Sequence, residues 1–159
     1  MSHELRPSAR KFQTALIARG FQCEVVELPD ATRTAPQAAQ AIGCAVAQIA
    51  KSLVFKGRRT DKAILVIASG ANRVDEAKLG ELVAEPVEKA NAHFARERTG
   101  FVIGGIPPTC HTESIATFID EDLLQHAEIW AAAGTPHALF KLTPSHLRKM
   151  TGGQVAAIK

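Results

Sequence analysis

The chain has 159 residues, 46% of them hydrophobic, which is the size of one domain and enough apolar material for a sizeable core. Lys and Arg number 19 against 16 Asp and Glu, a net charge of +3 with the basic residues scattered, so contact with a polyanion is permitted but not dictated. Three widely spaced cysteines without a CxxC exclude a disulfide framework or zinc ribbon, and no apolar run reaches the ~18 residues of a membrane span, so a soluble cytoplasmic protein without a leader is expected.

Leu5, Ala9, Phe12 and Leu16 recur at spacings of three and four before Gly20, which predicts an amphipathic first helix. A strand over Gln22 to Leu28 follows. Thr34-Ala35-Pro36-Gln37 has the form of a capping box, and Gly43 can stop the helix it opens. Residues 49 to 56 and 63 to 69 are β-rich and separated by a polar turn, the pattern of a hairpin. Two helices are predicted next, over 74 to 83 and over 86 to 98, the second opened by Pro86 and closed near Gly100. Phe101-Val102-Ile103 reads as a strand running into Gly104-Gly105-Ile106-Pro107-Pro108. The remainder predicts a strand near 115 to 119, a short helix from Asp120, a strand pair near 128 to 132 and 138 to 142, a helix capped by Thr143-Pro144, and a last strand near 154 to 158. The fold class expected is α/β: a single domain over residues 1 to 159 with a mixed, strongly curved β-sheet, curling toward a barrel, and flanking helices.

Within the first hairpin strand a period of two places Ile49, Lys51, Leu53 and Phe55 on one face, so Lys51 stands on an apolar wall. An ammonium there loses solvation, which is costly without a partner or an anionic ligand and lowers its pKa. Two readings stay open at this point: a functional cation, or a lysine that snorkels out at the end of the strand. Gly104-Gly105 and Ala133-Gly134-Thr135-Pro136-His137 are small-residue turns whose N–H groups can receive an oxyanion, although glycine and proline also make ordinary turns. His137 can orient a substrate or pass a proton, yet a lone histidine in a turn is more often a solvated surface residue. Gly70-Ala71-Asn72-Arg73 after the second hairpin strand offers contacts to a phosphate or ribose. The six histidines (His3, His93, His111, His126, His137, His146) and three cysteines lack metal-ligand spacing, and neither a nucleophile elbow nor a P-loop occurs.

Thr32-Arg33-Thr34-Ala35, then Gln48-Ile49-Ala50-Lys51-Ser52-Leu53-Val54-Phe55, Ser69-Gly70, Gly104-Gly105-Ile106-Pro107-Pro108 with His111, and Ala133-Gly134-Thr135-Pro136-His137 stand in the order of the YbaK/EbsC family. The chain resembles that family, which includes the editing domain inserted in bacterial prolyl-tRNA synthetases, over roughly residues 20 to 158. The Thr109-Cys110 step departs from its commoner members. The resemblance implies hydrolysis of the ester joining a wrong, small amino acid such as Ala, Cys or Ser to the 3′-terminal adenosine of tRNA. It implies no cofactor, no metal and no covalent enzyme intermediate. Lys51 matches the key functional lysine and is expected to act electrostatically, helped by backbone amides at Gly105 and Gly134 and by His137. Ser52, Ser69, Gly70, Gly104, Ile106, Pro107, Thr135 and Pro136 are the expected substrate-binding residues. The expected partners are the mischarged tRNA and an aminoacyl-tRNA synthetase; the alternative is a non-catalytic tRNA- or nucleotide-binding module of the same fold.

Overall fold

The computed structural model describes residues 4–159; Met1, Ser2 and His3 lie outside the described residues. Helix α1 (Pro7–Ala18) opens with proline, whose missing N–H is not needed in a first turn, and buries Ala9, Phe12 and Leu16. Strand β1 (Val25–Glu27) occupies only part of the expected 22 to 28 segment. Helix α2 (Ala35–Ile42) carries the predicted cap: Thr34 Oγ1 accepts the Gln37 N–H at 3.3 Å, while the Gln37 side chain accepts the Arg33 N–H at 3.0 Å. Gly43 ends the helix in the left-handed region, at φ 85°.

The hairpin forms as expected from β2 (Ile49–Gly57) and β3 (Ala63–Ser69), with Lys51 opposite Ala68. Every residue of β3 is buried, so this strand is apolar on both faces. Glu85 braces the turn between them, accepting the Thr60 hydroxyl at 2.6 Å and the N–H groups of Arg59 and Thr60. Helix α3 (Glu76–Val83) is capped by Asp75.

Two expectations are corrected in the next stretch. Residues 86 to 98 are not one helix: β4 (Val87–Lys89) pairs with Phe55 to Gly57 of β2, and only then does α4 (Ala92–Thr99) begin. The start signal is Asn91, whose side chain accepts the Phe94 N–H at 2.8 Å, and not Pro86. Phe101 to Ile103 is not a strand either. The Thr99 hydroxyl accepts the Phe101 N–H at 3.1 Å and turns the chain directly after α4, burying Phe101 and leaving Val102 and Ile103 exposed.

Strand β5 (Ala116–Asp120), a 3₁₀ turn over Glu121–Gln125, β6 (Ile129–Ala132), β7 (Ala138–Leu142), α5 (Pro144–Thr151) and a shortened β8 (Gln154–Ala156) complete the chain. The sheet runs β1-β7-β6-β2-β3-β5-β8, with β4 added beside β2. It is mixed, as expected: β2–β6, β3–β5 and β5–β8 are parallel, and the other pairs antiparallel. Strands β1 and β8 end the hydrogen-bonded order, so the ladder does not close into a barrel.

Alternation along β2 and β3 feeds two cores. Ala50, Val54, Leu65 and Ile67 join α1 and Phe140 in the main cluster, whereas Phe55, Ile64, Val66 and Ala68 pack with Leu79 and Ile158 on the opposite face. Lys51 projects from that second face, between Ile49 and Leu53.

Candidate active site

Two cavities meet along the middle of β2. The smaller, about 220 Å³, reaches from Lys51 and Ser52 toward Thr32, Arg33 and Thr34 at the start of α2. The larger, about 360 Å³, reaches toward Arg73 and Lys89 over an apolar floor that includes Val54 and Phe55. Lys51, Ser52, Leu53, Ile103 and Ile106 line both. The loop after α4 thus crosses over β2, and Lys51 stands on the shared wall.

Lys51 is half-buried, and its side-chain ammonium forms no ion pair or hydrogen bond with the described residues. Burial lowers its pKa from the ordinary lysine value, Lys89 lowers it further, Asp120 opposes both, and Arg73 adds a smaller lowering effect. Three cations, Lys51, Arg73 and Lys89, outnumber the one carboxylate, Glu76, in the lining of the larger cavity, and this net positive balance favours an anionic ligand such as a phosphate or a developing oxyanion.

The sequence-predicted residues divide into two groups. Lys51, Ser52, Gly104 and Ile106 line the cavities. Ser69, Gly70, Gly105, Pro107, Gly134, Thr135, Pro136 and His137 line neither, and most have local duties instead. Ser69 donates its hydroxyl to the Ala47 carbonyl at 2.8 Å and its N–H to Asp120 at 2.9 Å. Gly70 is needed for packing, since a Cβ there would lie 2.5 Å from the Val46 carbonyl oxygen.

The two glycine loops brace each other. Gly105 donates its N–H to the Val102 carbonyl at 2.9 Å, and Gly134 donates to the Gly105 carbonyl at 3.0 Å. Both amides, expected to receive the substrate, donate within the loops in this structure. Gly105 packs so closely on the second loop that a Cβ would come within 2.6 Å of Thr135 Cα. His137 lines neither cavity: its Nδ1 lies 3.3 Å from the Leu28 carbonyl oxygen, its carbonyl accepts the Leu28 N–H at 2.7 Å, and its N–H donates to the Thr135 hydroxyl at 3.0 Å. Pro136 accepts the N–H of Thr32 at 2.6 Å and its hydroxyl at 3.2 Å, so this loop positions one wall of the smaller cavity from behind. His111 plays the same part for the first loop, with Nε2 2.7 Å from the Pro107 carbonyl oxygen.

Lys89 was not foreseen in the cavity wall, because reading 86 to 98 as a helix hid its strand. Arg73 was legible from the turn after β3. Among the described residues no group of three or more His, Cys, Asp or Glu side chains is placed to hold a metal ion, and no helix is long and apolar enough to cross a membrane.

Comparison with known proteins bears on this geometry. A crystal structure described as a candidate trans-editing enzyme for prolyl tRNA synthetase superposes with a TM-score of 0.92, at 52% identity over 98% of this chain and 99% of that one. A Bacillus subtilis (strain 168) protein of no assigned function, YwhH, is 29% identical over 132 residues, 83% of each chain. A protein of Enterococcus faecalis (strain ATCC 700802 / V583) named as a candidate Cys-tRNA(Pro)/Cys-tRNA(Cys) deacylase, EbsC, is 28% identical over 126 residues, 79% of this chain and 76% of that one. Residues 29–150 match the family model described as an aminoacyl-tRNA editing domain, and the chain belongs to that family.

Proposed function

We propose that this protein acts in trans, in the cytoplasm, to hydrolyse the ester between a wrongly attached amino acid and the 3′-terminal adenosine of tRNA. The observation that carries this reading is the position of Lys51, unpaired and desolvated on the wall shared by two cavities. The larger cavity suits the terminal adenosine, with Arg73 and Lys89 near its phosphate; the smaller takes the aminoacyl group. Water adds to the ester carbonyl, charge gathers on its oxygen, and the bond to the ribose oxygen breaks to release the amino acid and the tRNA. Lys51 stabilises that charge and positions the acylated end; it is not a nucleophile. A small amino acid such as Ala, Cys or Ser is the proposed substrate, and an aminoacyl-tRNA synthetase the proposed source of the mischarged tRNA.

The test is release of amino acid from a panel of mischarged tRNAs. Wild type should deacylate at least one, and Lys51→Ala should lose about 100-fold to 1000-fold in kcat while keeping its far-UV spectrum and melting transition. Full activity in Lys51→Ala would sink the mechanism. Binding of every tRNA without release from any would instead identify a non-catalytic binding module.

A further inference from the structure

Between its two flanking partners, β2 has one open edge. On that side β6 pairs only with Ile49 and Ala50, and β4 only with Phe55 to Gly57. The Gly70 N–H donates to the Ile49 carbonyl at 2.7 Å, which fixes the alternation: Ile49, Lys51 and Leu53 exchange hydrogen bonds toward β3, while Ala50, Ser52 and Val54 point their main-chain groups to the other edge. Ala50 uses them on β6, and the Val54 carbonyl accepts the Ala90 N–H at 3.1 Å. The N–H and C=O of Ser52 meet no partner among the described residues. Its hydroxyl oxygen is buried and also lacks a hydrogen bond.

Buried polar groups in folded proteins are nearly always paired, so the Ser52 hydroxyl, together with two open main-chain groups on the same residue, needs an explanation. Ser52 sits where the two cavities join, beside Lys51. An apolar side chain would suit its place between Ala50 and Val54 on the core face better than a serine does.

We infer that Ser52 offers its main-chain N–H and C=O to the aminoacyl group of the substrate, which pairs with it as one added antiparallel rung of the sheet. This rests on the deacylase reading above. An aminoacyl ester carries an α-ammonium and a carbonyl oxygen in the same relation as the N–H and C=O of a residue, and a hydrogen-bonded antiparallel pair exchanges both bonds. The Ser52 carbonyl accepts from the α-ammonium. The Ser52 N–H donates to the ester carbonyl oxygen and strengthens as charge develops there, filling the role expected of the Gly105 and Gly134 amides, which donate within their loops. Recognition through the main chain is indifferent to the amino acid's side chain but demands a free α-amino group. The substrate class is therefore esters of unblocked α-amino acids, with side-chain choice left to the smaller cavity.

The decisive comparison uses wild-type protein and one tRNA acylated with either alanine or propionic acid, which differ by the amino group. Each enzymatic rate is divided by the uncatalysed hydrolysis rate of the same ester, since an α-ammonium itself activates an ester. The normalised kcat/KM should be about 100-fold lower for the propionyl ester, by analogy with loss of a matched polar contact. Where the panel shows release of another amino acid than alanine, that amino acid and its deamino analogue take the place of alanine and propionic acid; equal normalised values would overturn the rung while leaving the deacylase reading intact, and release from no ester of the panel would overturn both. A second measurement replaces the Lys51–Ser52 peptide bond with an ester, which deletes only the Ser52 N–H. It should lower kcat about 100-fold or more with a smaller change in KM, and an unchanged kcat would overturn the assignment.

Discussion

Asp120 is 1% exposed and accepts hydrogen bonds from the Ser69 N–H at 2.9 Å, the Asn72 side chain at 2.8 Å and the Asp122 N–H at 3.0 Å. Through space it also favours the charged form of Lys51, against burial and the repulsion of Lys89 and Arg73. Neutralising it removes that support, so Asp120→Asn should lower the Lys51 pKa further. If the ammonium is the working form, the alkaline fall in kcat/KM should then begin at lower pH than in wild type, as a pH profile would measure. An alkaline limb that does not move would mean that Lys51 does not govern it. The same direction of shift has a stability consequence: a lysine whose folded pKa is depressed costs stability while protonated, and the cost is relieved as pH rises through that folded value. At this scale the sequence revealed the lysine well, since a strand's period of two is enough to place Lys51 with Ile49 and Leu53. It did not reveal that the Gly105 and Gly134 amides and the His137 ring are turned to local partners. Both readings of a glycine turn have the same composition, and only the three-dimensional register decides where each N–H points.

At the scale of elements, the two glycine loops behave as one brace behind the cavities. Gly105 has little room for even a methyl group, because the atoms it would meet belong to the backbone of Thr135 and Pro136, which cannot swing aside as a flexible side chain would. Gly105→Ala should therefore cost about 1–3 kcal/mol, the usual penalty of overpacking. For a chain of this length that is a fall of about 3–10 °C in Tm, readable by calorimetry. A Tm within 1 °C or so of wild type would show that the loops are not rigidly braced. Elements with their own local signals were legible: α2 from Thr34 and Gly43, the β2–β3 hairpin from its turn, α5 from Thr143-Pro144. Those that depend on a distant partner were not. Val87 to Lys89 is a strand because the edge of β2 beyond Val54 is there to receive it, and Phe101 to Ile103 is not one because the Thr99 hydroxyl accepts the Phe101 N–H and turns the chain directly after α4. That second misreading matters most for the site, since the segment released from the sheet is the one that folds Ile103 and Ile106 over Lys51.

The order of strands in the whole sheet lies beyond local pattern, because β6 enters parallel to β2 from 81 residues away, Ile49 facing Trp130, and β8 joins beyond β5. One outcome of that order is a link between the last residues and the cavity. Ile158 is fully buried in the core beneath Phe55, Val66 and Leu79, and its carbonyl accepts the Asp75 N–H at 2.6 Å. Lys159 pairs with Asp122 at 2.9 Å, and Asp122 accepts from Asn72 at 2.8 Å. The segment from Asn72 to Asp75, which carries Arg73 into the larger cavity, is thus held at both ends by β8 and its extension. Ile158→Ala should cost about 2–5 kcal/mol as a cavity-forming truncation, lowering Tm without preventing folding in a protein of ordinary stability. Its more informative effect is kinetic. Arg73 touches the proposed nucleotide and not the ester, so loosening it weakens ground-state and transition-state binding alike. KM for the mischarged tRNA should rise several-fold while kcat at saturation changes little. A folded Ile158→Ala protein with unchanged KM would show that Arg73 is positioned by α3 alone, and an equal fall in kcat would place the Arg73 contact at the reacting ester instead.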